Sequence, residues 1–283
     1  MTFLVAITLL WAFSFSLIGV YLAGQVDPWF SVLLRVLLAA LVFLPFLTFR
    51  GVAPATTFRL MLIGAIQLGI MYGFYYHAFL YLSVPEVLLF TVMTPLYVTL
   101  VNDLLDRRFR ANFLICALVA TAGAAAIRYD GIDSGFIRGF LIVQAANLCF
   151  ATGQVLYKRA ASQFSLPQHQ VFGWFFIGAS LVASVSFALF GNLEKLPTTS
   201  LQWGILIYLG VVASGLGFFA WNKGATQVDV GTLAIMNNLL IPAGIMVNLL
   251  IWNHDADLLR LASGGAVILL ALPLNHWLLR KQA

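Results

Sequence analysis

Two adjacent amides, Asn237 and Asn238, stand four residues before Pro242 in the apolar run AIMNNLLIPAG. Hydrocarbon cannot satisfy an amide, so each must meet a helix, a cavity or a ligand. Neighbours on a helix point about 100° apart, so the pair cannot share one partner helix. One is expected to bond across helices and the other to line a cavity. Pro242 has no N–H, which frees the carbonyl of Asn238. A second set, Gln144, Asn147, Ala151, Gln154 and Lys158, recurs at spacings of three and four, which is one helical face, wet or bonded. Thr91 and Thr94, Gln67 with Tyr72, Tyr76 and His77, and Trp11 with Ser14 and Ser16 add polar or flat groups to other apolar runs. Together they predict one cavity for a small polar solute. Single Ser, Thr, Asn and Gln residues also serve as interhelical bonds, so the alternative stays open residue by residue.

Two groups carry charge or a titratable ring. Arg35 lies roughly 9 Å into its segment, where it must pair or face a cavity; it can attract an anion, cap a helix end or pair with Glu86. His77 can carry a proton or rest as a bonded neutral ring. Trp221 and Asn222 sit near the inner boundary and read as interfacial belt.

The elements that must position these residues follow from composition. The chain has 283 residues, 62% of them hydrophobic and 9% charged, against about 25% charged in a soluble domain. Apolar stretches long enough to cross ~30 Å of hydrocarbon fall at about 2–23, 29–49, 57–78, 84–104, 110–128, 135–157, 168–190, 200–221, 229–252 and 259–279. The expectation is an all-α integral membrane protein in the lipid bilayer, with ten transmembrane helices. The first stretch lacks a basic leader and reads as a retained helix. Cys116 and Cys149 fall within helices and are expected to pack rather than bridge. With the N-terminus inside, ten Lys and Arg fall at cytoplasmic positions and four at outer ones, so both termini are expected in the cytoplasm. No basic stripe with interleaved aromatics suggests nucleic acid. No HExxH, GxSxG or Cys/His cluster suggests an enzyme, a metal or a cofactor.

The run AFLYLSVPEVLLFTVMTPLY (78–97) lines up without gaps on ATQVDVGTLAIMNNLLIPAG (225–244), setting Pro95 on Pro242. WAFSFSL (11–17) pairs more weakly with FATGQVL (150–156). A unit of five helices repeated after an odd number of crossings must be inverted, as in secondary transporters. The two repeats are expected at 1–131 and 132–283.

With Trp11, Arg35, and the runs ending at Pro95 and Pro242, the whole chain resembles the drug/metabolite transporter superfamily with its EamA-type repeat. It departs from that pattern where Val36 follows Arg35 and where segment 168–190 has no matching arginine. Within the superfamily, WAFSFS, YLAGQVD, VLLRVLLAALVFLPFL, LLFTVMTPLYVTL and LQWGILIYLGVVASGLGFFAWNKGATQVDVGTLAIMNN are similar to biotin importers of enterobacterial inner membranes. The resemblance implies a secondary transporter importing biotin across the bacterial inner membrane by alternating access, expected as a monomer. It also implies that Asn147, Asn237 or Asn238 reads the ureido group, that Trp11, Tyr72 and Tyr76 pack on the ring, and that Arg35 or Lys158 meets the carboxylate. Ser14, His77, Thr91 and Gln154 complete the expected substrate site. Export of amino acids or related metabolites is the alternative.

Overall fold

The structure, a computed structural model, describes residues 2–107 and 133–252 together with isolated positions 115, 118–119, 122–123, 259, 266–267 and 270. Among the described residues, eight helices are long and apolar enough to cross a membrane: α1 (Thr2–Tyr21), α2 (Pro28–Phe46), α3 (Pro54–Ala78), α4 (Val84–Leu105), α5 (Ser134–Ala161), α6 (Gln168–Phe190), α7 (Ser200–Ala225) and α8 (Val230–Ile251). Each matches an expected span to within a few residues at either end. The expected spans 110–128 and 259–279 lie outside the described residues, apart from the isolated positions. The protein is a multi-pass, all-helical membrane protein.

Helix starts follow local chemistry. Asp27 accepts the N–H of Phe30 at 2.7 Å with Pro28 in the first turn of α2. Ser83 and Glu86 form a capping box on α4, and Thr199 and Gln202 another on α7. Asp229 caps α8, where hydrogen bonds from the Thr232 hydroxyl and N–H hold its carboxyl below the ordinary value.

Breaks also follow the sequence, in part. A 3-10 turn at Thr91–Met93 precedes Pro95 in α4, and α8 is interrupted at Leu239 before Pro242, where prolines remove the donor a regular helix would need. Two π segments, Ala65–Ile70 in α3 and Leu209–Leu216 in α7, have no such cause in the letters.

The core is a continuous apolar cluster running through all eight helices. Its tightest crossing joins α3 to α6: a Cβ on Gly64 would lie 1.8 Å from the carbonyl oxygen of Phe175, and one on Gly178 would lie 1.9 Å from that of Met61. Only glycine lets the two backbones meet there.

Contacts give each helix a direction. Leu4 of α1 meets Gly224 and Trp11 meets Gly217, so α1 and α7 are antiparallel. Ser16 and Tyr21 of α1 bond Asn248 and Trp252, so α1 and α8 are parallel. Gln67 sits on Gly153 and Leu82 on Gly139, setting α3 antiparallel to α5. Phe30 meets Trp203 and Phe43 meets Phe219, setting α2 parallel to α7. The end reached by the start of α1 and the finish of α7 carries Arg50, Arg59, Lys158, Arg159 and Lys223. The opposite end carries Arg138 and Lys195. We refer to the first as the basic end.

Candidate functional site

A cavity opens among six helices. Helix α1 lends Trp11, Ser14, Phe15 and Ile18; α2 lends Arg35; α3 lends Met71, Tyr72, Tyr75 and Tyr76. Phe150 of α5, Phe218 of α7 and Leu240 of α8 close it. The walls are largely aromatic, and Arg35 is the charged residue among them.

Arg35 is 2% exposed. Its Nε donates to Ser214 Oγ at 3.1 Å, Nη1 to Tyr76 OH at 3.2 Å and Nη2 to Tyr72 OH at 2.6 Å. Tyr72 OH and Ser214 Oγ are themselves 2.8 Å apart. The guanidinium also lies 4.1 Å from the centre of the Tyr72 ring, close enough for a cation–π contact. These partners fix the position of the side chain but none of them is an anion. An arginine does not deprotonate in a protein, so the cavity holds a fixed positive charge whose nearest partners are neutral oxygens. The expected alternative of a pair with Glu86 does not form, because the Glu86 carboxylate accepts the N–H and hydroxyl of Ser83 at its own helix start, 2.8 Å in each case.

Trp11 donates from Nε1 to the carbonyl of Ala213 at 2.9 Å, tying α1 to the π segment of α7. Its ring stands 5.0 Å from Phe218, 5.1 Å from Trp221 and 6.0 Å from Phe150. This ring layer floors the cavity on the side toward the basic end.

Of the residues expected at the substrate site, Trp11, Ser14, Arg35, Tyr72 and Tyr76 come together on the cavity wall. His77, Thr91, Asn147, Gln154, Asn237 and Asn238 do not line it. His77 Nδ1 lies 2.7 Å from the carbonyl oxygen of Gly73, and its ring packs beside Trp29. Thr91 bonds back to the Leu88 carbonyl at 2.6 Å within its own helix. Asn147 donates to the Phe90 carbonyl at 2.9 Å, just before the 3-10 turn of α4. Gln144 reaches the same carbonyl, so the start of the polar stripe on α5 is bonded rather than wet.

Further along that stripe, Gln154 accepts from Trp221 Nε1 at 3.1 Å and from Asn237 at 3.5 Å. Lys158 donates to the carbonyls of Ala225 and Val228, so it caps the finish of α7 instead of facing a substrate carboxylate. Asn238 is half-buried and its amide has no hydrogen-bond partner among the described residues. The belt assignment of Trp221 and Asn222 is also corrected: they are 1% and 0% exposed, packed inside the bundle. Nearness to a helix end in sequence does not fix which side a residue faces.

Sequence reasoning missed Ser214, Tyr75 and the phenylalanines of the wall. Tyr75 follows from the helical spacing of its neighbours on α3. Ser214, a small residue in an ASGLG run, carries no distinguishing signal.

Below the ring layer, several buried amides lack partners among the described residues: both polar atoms of Gln67, Nε2 of Gln154 and Oδ1 of Asn222. Each orphaned group costs about 1–3 kcal/mol.

The sequence matches the EamA-like transporter family over residues 1–129 and again over 137–274. A protein of Pseudomonas aeruginosa named as a probable biotin transporter is 58% identical over 278 residues, covering 98% of this chain and 97% of that relative. The biotin transporters of Salmonella typhimurium and Escherichia coli K12 are 55% and 53% identical over 282 residues, covering 99% of this chain and 93% of each relative. A solved crystal structure of a protein at 20% identity superimposes with a TM-score of 0.69 over 98% of this chain and 96% of its own, a likeness of fold alone. With its match running through both halves, the chain belongs to the EamA-like transporter family.

Proposed function

We propose that the protein imports biotin across the bacterial inner membrane as a secondary transporter, with the Arg35 cavity as its substrate site. The observation that carries this reading is the buried guanidinium, held by Tyr72, Tyr76 and Ser214 and without an anionic partner among the described residues. Biotin brings one carboxylate on an apolar chain and ring. The carboxylate supplies the missing negative charge, and Trp11, Phe15 and the tyrosines supply flat walls. The names of three relatives at 53–58% identity support the same cargo.

The mechanism we infer is alternating access between two inverted repeats, at 1–131 and 132–283. In support, α1 runs opposite in direction to α5, and α2 to α6, as do α3 to α7 and α4 to α8. Shifting Pro95 by 147 residues gives Pro242, and the π segment of α3 shifted likewise overlaps that of α7. The contacts repeat too: α1 packs on α8 as α5 packs on α4, and α2 packs on the π segment of α7 as α6 packs on that of α3. Such halves can rock about a central site. The basic end faces the cytoplasm by the excess of Lys and Arg there, and one chain holds the whole cavity, so a monomer suffices.

Equilibrium binding of labelled biotin to the purified protein tests this. Saturable binding is expected, and it should be displaced by biotin but not by biotin amide, which lacks the anion. Equal displacement by both would contradict the role of Arg35.

A further inference from the structure

One helical turn beyond the cavity wall, toward the basic end, four helices each carry an amide. Gln154 follows Phe150 by four residues on α5, and Asn222 follows Phe218 by four on α7. Gln67 precedes Met71 by four on α3, and Asn237 precedes Leu240 by three on α8. The helix directions put all four on the same side of the wall, about 6 Å further along. They form a layer rather than a scatter. Gln67 rests against Gly153, where a Cβ would come within 2.0 Å of it, so its amide lies beside the residue preceding Gln154. Gln154 in turn bonds Trp221 and reaches Asn237.

Gln67, Gln154 and Asn222 are each 0% exposed. Both atoms of the first, the donor of the second and the acceptor of the third have no partner among the described residues. Interhelical glue would leave such groups paired. Unpaired donors and acceptors at one depth of the bundle call for a visitor that offers both, and a carboxylate offers only acceptors. The rings of Trp11, Phe150 and Phe218, which line the cavity, lie between it and this depth.

We propose that Gln67, Gln154 and Asn222 form a second, inner station that binds the cyclic-urea head of the cargo once the ring layer parts, after Arg35 has captured its carboxylate in the cavity. The proposal rests on biotin being the cargo. Passage then exchanges one set of contacts for another, so neither end of the path holds the solute too tightly to release it. The inner station acts on a population the outer one has already selected, which makes it a determinant of transport specificity more than of equilibrium affinity.

The test compares biotin with biotin methylated on its ureido nitrogens, in wild type, Gln67→Leu and Gln154→Leu. The purified variants should still bind biotin through the Arg35 cavity, which also reports that they fold. Their biotin uptake should fall by about 5- to 150-fold. Wild type should take up biotin in preference to the methylated compound, and in the variants that preference should collapse toward one. Uptake and preference both unchanged would overturn the inner station and leave these amides as hosts for water. Uptake of both compounds slowed equally, with the preference kept, would also overturn it in favour of a structural role. Should Gln67→Leu fail to accumulate, Gln154→Met carries the same comparison from α5. Wild-type protein that neither binds nor takes up biotin would instead sink the cargo assignment, and the inner station with it.

Discussion

The energetics of the cavity concentrate on Arg35. Truncating one member of a buried charge pair commonly costs ~2–5 kcal/mol, so Arg35→Leu should weaken biotin binding by at least about 30-fold. Arg35→Lys should not rescue it fully, because an ammonium cannot span Ser214, Tyr72 and Tyr76 with a planar fork. Tyr72→Phe removes one of the hydroxyls holding that fork and should cost about 1 kcal/mol, near fivefold in affinity. Titration calorimetry on the three purified variants checks the ranking. Arginine and the large aromatics were legible in the sequence because a charge or a broad polar ring inside an apolar run has few places to go. The asparagines were legible only as residues turned away from lipid. Asn147 and Asn237 turned to carbonyls of Phe90 and Leu233, and nothing in their letters separates a carbonyl partner from a cavity.

At the scale of helices, glycine governs how closely α3 and α6 approach. Gly64→Ala puts a methyl 1.8 Å from a backbone oxygen that cannot swing aside. Overpacking of this kind costs ~1–3 kcal/mol or more. Gly204→Ala, with nothing within 4 Å of the new methyl, should be neutral or slightly stabilising. Thermal denaturation in detergent should therefore separate the two alanine variants, the first lowering the midpoint and the second leaving it in place. Helix existence and most boundaries were legible because length and hydropathy decide them. The break before Pro242 was legible because proline removes a specific donor. The π segments, which pack against α6 and α2, were not, since no residue in them forbids an α-helical turn.

Across the whole molecule, opposed helix directions and the clustering of Lys and Arg at one end together carry the account of transport. A cysteine at Asn192, in the loop at the opposite end, should react with an impermeant maleimide added outside intact spheroplasts. One at Gln163, at the basic end, should react only after permeabilisation, with Cys116 and Cys149 replaced by serine in both. The reverse pattern would invert the protein in the membrane and turn the cavity toward the cytoplasm. For the proposed repeat the sequence offers a proline and a loop at a common offset, because symmetry acts on positions and leaves the letters free to drift. What joins site, elements and symmetry is movement of one cargo, measured as uptake of labelled biotin into proteoliposomes containing the purified protein. The account predicts saturable uptake by wild type and loss of most of it in Arg35→Leu that still folds; uptake by the two at equal rates, or none by wild type, would contradict it.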